Sequence, residues 1–174
     1  MKRGASVAAA VLFATLAAAR GEPPPAPAEQ TEVPYRSQTR GALRVKGDTR
    51  DWFRITKGGK DAGPPAPPLL NSAAELEPGE YEVTVNKTRR TVTVRAGREV
   101  VLQTGTLVVE GTGADWYAPY EGKQQRVADA PPTLNKPIAL FPGTYAVLVR
   151  VGDRDVKLTD AARVVAGRKT VLTK

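Results

Sequence analysis

The run Leu76-Glu77-Pro78-Gly79-Glu80-Tyr81-Glu82-Val83-Thr84-Val85 returns 64 residues later as Leu140-Phe141-Pro142-Gly143-Thr144-Tyr145-Ala146-Val147-Leu148-Val149. In the first run Tyr81, Val83 and Val85 alternate with Glu80, Glu82 and Thr84, a period of two that marks a strand with one buried face. The Pro-Gly pair before it is turn chemistry. Working outward, Gly41, Leu43, Val45 and Gly47 lie over Gly105, Leu107, Val109 and Gly111, and Asp51-Trp52-Phe53 lies over Asp115-Trp116-Tyr117. Pro67-Pro68 and Leu70-Asn71 match Pro131-Pro132 and Leu134-Asn135, so 18 of the 45 positions from 41 to 85 are identical at this offset. After a six-residue insertion near Gly152 to Asp155 the match resumes at offset 70, with Val94, Ala96-Gly97-Arg98 and Val101-Leu102 over Val164, Ala166-Gly167-Arg168 and Val171-Leu172. The chain is an internal duplication, and the period of two holds throughout both copies.

These patterns predict an all-β protein of two tandem antiparallel β-sandwich repeats, Ig-like or transthyretin-like, over residues 41–104 and 105–174. A module of about 64 residues lies near the lower limit of independent stability. With 0 Cys no disulfide can help, so the copies are expected to pack end to end and unfold together. Lys2 and Arg3 followed by the uncharged run Ala5 to Ala19 read as a signal peptide over 1–19, too short to span a bilayer and ending in a small-x-small cleavage site. Residues 20–40, opening on Glu22-Pro23-Pro24-Pro25-Ala26-Pro27, read as a proline-rich spacer outside any core. The expected location is periplasmic, secreted or at the cell surface, with no membrane span after cleavage.

The 174 residues include 0 His and 0 Cys, which removes Ser-His-Asp and Cys-His catalysis, thiolate clusters and the preferred ligands of zinc. No cofactor is expected. The formal charge of +8 is spread through the chain and interleaved with acids, unlike the clustered basic patch of a nucleic-acid binder, so nucleic acid is not an expected partner.

The motif Leu-x-Pro-Gly-x-Tyr-x-Val-x-Val, a polar hairpin, and Val-x-Ala-Gly-Arg-x-x-Val-Leu together resemble PEGA-type and carboxypeptidase-regulatory-like (transthyretin-like) modules of bacterial envelope proteins. Neither copy has the Pro-x-Gly-Ala stretch that PEGA repeats place after the first strand. The resemblance implies an exported, non-catalytic module appended to other envelope proteins, and it brings no site residues with it.

The candidate binding residues are Trp52, Phe53, Arg54, Arg89, Arg90, Trp116 and Tyr117. Adjacent strand residues face opposite sides; pairing Phe53 with Ile55 and Trp52 with Arg54 puts Phe53 inward and Trp52 partly exposed. Repeated tryptophans suit stacking on sugar rings or anchoring a protein partner, and equally suit capping the end of a core. Asp153 and Asp155 are weak calcium candidates, since calcium takes 6–8 oxygens and Arg154 sits between them. The expected function is a structural or interaction module docking an envelope protein. The alternative is carbohydrate or peptidoglycan binding through Trp52 and Trp116. A carboxylate-only hydrolase is the remote alternative, because it needs two carboxylates flanking one cleft and Asp48 has no counterpart at Thr112.

Overall fold

The computed structural model describes residues 29–122, 125–128 and 130–174; the expected signal peptide and residues 20–28 of the expected spacer lie outside them. The protein is all-β, built from several small sheets. A leading strand β1 (Gln30–Pro34) is followed in the first copy by β2 (Gly41–Lys46), β3 (Phe53–Lys57), β4 (Lys60–Asp61), β5 (Ala73–Leu76), β6 (Gly79–Val85), β7 (Thr88–Val94) and β8 (Arg98–Gln103). The second copy repeats that order as β9 (Gly105–Glu110), β10 (Trp116–Glu121), β11 (Gln125–Arg126), β12 (Ile138–Leu140), β13 (Gly143–Val151), β14 (Arg154–Val164) and β15 (Lys169–Thr173). Four sheets result, β1-β8-β2-β5 and β4-β3-β6-β7 in the first copy, β12-β9-β15 and β11-β10-β13-β14 in the second. No helix among the described residues is long and apolar enough to cross a membrane.

The structure corrects the sequence reading in three places. First, the sheets are not purely antiparallel, because β2 pairs with β8, and β9 with β15, in parallel. The last strand of each copy returns from a hairpin in the other sheet and enters alongside the first strand, a direction that side-chain alternation cannot reveal. Second, the expected spacer is not all spacer: Gln30–Pro34 pairs antiparallel with β8 from Gln30↔Leu102 to Pro34↔Arg98. Its proline sits at the end of an edge strand, where a missing N–H costs no ladder bond. Third, the copies are not separate sandwiches standing in tandem, because a strand of the second lines the core of the first.

That strand is β12. One core gathers Leu43, Phe53, Ile55, Leu76, Val83, Val92 and Leu102 from the first copy, together with Ala139 and Phe141 from the second. The other gathers Leu107, Tyr117, Tyr145, Val147 and Val164 with Ile138 and Leu140. Period-two alternation therefore sends successive residues of Ile138-Ala139-Leu140-Phe141 into alternate cores. The second edge of β12 bonds to side chains of the first copy. Asp51 Oδ2 accepts from Ala139 N at 2.7 Å, and Asn86 Nδ2 donates to Ala139 O at 3.1 Å. Thr88 Oγ1 accepts from Phe141 N at 3.1 Å, and Arg90 Nη2 donates to Pro142 O at 2.6 Å.

Most identities between the copies are backbone devices. A Cβ on Gly41 would stand 2.4 Å from Arg95 O, and one on Gly105 would stand 2.3 Å from Val165 O, so only glycine fits where each copy begins. Asn71 and Asn135 both adopt positive φ, 72° and 65°. Each closes a side-chain pair with a glycine backbone: Asn71 Nδ2 to Gly47 O at 2.8 Å, and Asn135 Nδ2 to Gly111 O at 3.0 Å. The tyrosine of Pro-Gly-x-Tyr donates back across the turn, Tyr81 to Glu77 O at 2.8 Å and Tyr145 to Phe141 O at 2.6 Å. The six-residue insertion lengthens one hairpin: β13 and β14 run 9 and 11 residues against 7 and 7 for β6 and β7, with register shifts around Val147.

Two predictions follow from this core. Phe141→Ala opens a cavity in the first copy although it lies in the second, and lowers unfolding free energy by about 3–5 kcal/mol. Since Trp52 and Trp116 report on different copies, the two single-tryptophan chains should share one urea midpoint, and Phe141→Ala should lower it equally in both; separate midpoints would mean independent copies. The second concerns alkaline pH. Burial first, and the negative Asp51 second, raise the Tyr117 phenol above the ordinary 10.0. Burial first, then Glu121 and Glu29 against an opposing Arg90, raise Tyr145. Both phenols stay neutral in the fold while the unfolded chain ionises, so their contribution is intact below pH 10 and is lost above it. Stability should fall by about 1.4 kcal/mol per pH unit for each tyrosine. Tyr117→Phe and Tyr145→Phe should each flatten that slope in denaturant titrations at pH 9 to 12.

Candidate functional site

The outward faces of β3, β6 and β7 carry the site. Trp52, just before β3, shares with Arg54 and Thr56 of β3 the side opposite Phe53 and Ile55, which are fully buried. Antiparallel pairing sets Arg54 beside Thr84, Thr84 beside Arg89, and Thr56 beside Glu82. The β6–β7 hairpin turns through Asn86 and Lys87, both at positive φ (45° and 68°), the two-residue turn whose twist matches its flanking strands. Asn86 thereby comes to the head of the same face. Gln125 of β11 reaches in from the second copy, and these side chains enclose a depression of about 490 Å³.

Trp52 stands at its margin, 43% exposed and paired across an isolated bridge with the exposed Leu69. The Arg54 guanidinium lies 5.8 Å from its ring centroid, within cation–π range. Arg54 also stands 3.7 Å from Asp61, and Arg89 stands 3.6 Å from Glu82. Such exposed ion pairs are weak and are readily exchanged for a ligand. The lining therefore offers one aromatic face, the cations Arg54, Lys87 and Arg89, one carboxylate, two hydroxyls and two amides. A smaller hollow of about 330 Å³ lies under Pro64, Pro65, Pro67 and Pro68 on the other side of Arg54.

The structure separates the seven sequence candidates. Trp52, Arg54 and Arg89 come together. Phe53 and Tyr117 leave the set, because both side chains are fully buried; Tyr117 donates to Lys136 O at 2.6 Å. Arg90 leaves it too, since alternation turns it away from Arg89. Its guanidinium lies 5.4 Å from the Phe141 ring, pairs with Glu29 and bonds Pro142 O, so it ties the copies together. Trp116 does not repeat the platform: it is half-buried, with Arg150 5.1 Å from its centroid and held at 2.8 Å by Asp155. At the positions equivalent to Arg54, Glu82 and Thr84 the face around it has Ala118, Ala146 and Leu148, with Arg126 beside Tyr120 and Lys157 beside Leu148.

That ion pair occupies Asp155, the calcium candidate, while Asp153 lies in the turn between β13 and β14. Among the described residues no group of three or more His, Cys, Asp or Glu is placed to hold a metal ion. Thr56, Glu82, Thr84 and Asn86 were missed as candidates. The i+2 alternation of β3 and β6 carries the signal for the first three, whereas Gln125 arrives only through packing of the copies. No family model matches this chain, and no curated protein or solved structure matches it either.

Proposed function

We propose that this chain is a non-catalytic interaction module that docks a protein partner through the outer face of β3, β6 and β7. The observation that carries the reading is Trp52. A large aromatic side chain 43% exposed, beside Leu69 and at the rim of a depression lined by Arg54, Lys87 and Arg89, combines an apolar anchor with a cationic surround. Interface energy concentrates in such aromatic and arginine side chains, and the excess of cations favours an acidic surface on the partner. Export to the bacterial envelope, carried by Lys2, Arg3 and Ala5–Ala19, belongs to the same reading. So does the arrangement of the sheets. Each core draws on two sheets of its own copy, which supports two facing pairs locked together through β12 over four blades around one axis.

Glycan binding is the second reading, favoured by one observation: Asn86, Gln125, Thr84 and Glu82 place amide, hydroxyl and carboxylate groups beside the aromatic ring. It needs one platform, Trp52, in place of the two expected from sequence. One experiment separates the readings. In a Trp116→Phe chain, Trp52 is the sole indole, and its emission is followed during titration with soluble peptidoglycan fragments and, separately, with fractionated envelope proteins. Protein docking predicts a shift with a protein fraction only. In a pull-down of that fraction by the otherwise unaltered chain it also predicts weakening of at least tenfold in Trp52→Ala and several-fold in Arg89→Glu, with unfolding midpoints kept. A saturable response to the glycan fragments alone would replace the first reading with the second.

A further inference from the structure

The two copies differ at one sheet edge. In the first copy β1 lies along β8, where Gln103 N donates to Glu29 O and Tyr35 N donates to Gly97 O, both at 2.8 Å. These bonds show that the odd-numbered residues of β8, Glu99, Val101 and Gln103, turn their backbone groups toward β1. In the second copy Thr106 N donates to Arg168 O at 2.9 Å, and Lys174 N donates to Glu110 O at 3.0 Å. The even-numbered residues of β15 therefore face β9, and Lys169, Val171 and Thr173 turn their backbone groups outward. These are the positions equivalent to Glu99, Val101 and Gln103 at offset 70. Among the described residues no strand lies along that side of β15. The cover on β8 shows in burial: Val101 is 9% exposed, its equivalent Val171 44%.

We propose that the free edge of β15 accepts an extended, acidic segment of a partner protein, added antiparallel as β1 is added to β8. Strand addition of this kind draws affinity from main-chain hydrogen bonds and specificity from alternate side chains. The first copy supplies the template for the occupant, Glu29-Gln30-Thr31-Glu32-Val33-Pro34-Tyr35. Its two carboxylates seat on arginines: Glu32 bonds Arg95 at 2.9 Å, and Glu29 pairs with Arg90. The positions equivalent to Arg90 and Arg95 are Asp160 and Val165, and the positive charge at the edge of β15 comes instead from Arg168, Lys169 and Lys174, with Lys169 3.3 Å from Glu110 and Lys174 Nζ donating to Thr112 O and Gly113 O. The segment upstream of β1 cannot fill this role, since its prolines at 23, 24, 25 and 27 lack the N–H groups a ladder needs. Nor is β1 of another molecule favoured, because taking it would uncover β8. The edge of β1 itself is blunted: its even residues face outward, and Pro34 removes one donor there. The site lies on a different sheet from the Trp52 face, so neither reading depends on the other.

The test uses the full chain and a blocked peptide of residues 29–35, with nitrogen-15 NMR at 50 and 300 mM salt. The expected result is saturable shifts at Lys169, Val171 and Thr173, hydrogen-exchange protection of the Val171 amide, and binding at least fivefold weaker at the higher salt. A peptide with both glutamates replaced by lysine should bind at least tenfold more weakly. Val171→Pro should abolish binding. Arg168→Glu with Lys169→Glu, which leaves the backbone edge open, should weaken it at least fivefold with the unfolding midpoint kept. Shifts confined to Glu99, Val101 and Gln103, no shift up to millimolar peptide, or equal binding of the lysine peptide would overturn the proposal. Concentration-dependent shifts at Val171 without peptide would make a second copy the occupant and also overturn it.

Discussion

Everything else in this molecule depends on how the exposed edge of β12 is satisfied. A three-residue strand with one bare side is a poor structural element, and a backbone N–H left without a partner in a buried joint costs about 1–3 kcal/mol. Asp51, Asn86, Thr88 and Arg90 meet four main-chain groups of Ala139, Phe141 and Pro142, on β12 and just beyond it, two donors and two acceptors. With those bonds made, Ala139 and Phe141 can enter the first core while Ile138 and Leu140 fill the second. The two copies then share apolar volume, which suits modules of this size that have no covalent cross-link.

The duplication explains which residues match and which do not. Matching positions set backbone conformation: Gly41 and Gly105 at close approaches, Asn71 and Asn135 at positive φ, Tyr81 and Tyr145 bonding across a turn. Positions that bind between copies have no such need to match. Asp51 bonds to Ala139, whereas Asp115, its equivalent, has no corresponding bond among the described residues, and its own N–H donates to Arg150 O at 2.9 Å. The same divergence leaves a charged depression beside Trp52 in one outer face, while in the other Arg150 lies over Trp116.

Strand content and the inward faces of Phe53, Tyr81, Val83 and Val85 were legible in the sequence because alternation encodes burial directly. Partial exposure of Trp52 followed from the same rule. What alternation omits is the partner of a strand. It could not tell that β8 runs parallel to β2, that Gln30–Pro34 joins a sheet, or that residues of β12 divide between cores. It also left the adjacent Arg89 and Arg90 as one basic group, although successive strand residues face opposite ways. For Trp116 the deciding contact with Arg150 comes from a cross-strand pair 34 residues away.

Phe141 also sets an order on synthesis. Domains generally fold from the N-terminus as the chain emerges, yet the first core lacks its Ala139 and Phe141 until about half of the second copy has been made. Residues 41–104 thus emerge with an apolar opening between their sheets, and closing it requires a contact spanning roughly half the chain. Long-range closure of this kind is slow. The duplication, which looks like two units laid down in sequence, matures as one event: the first copy waits for the second.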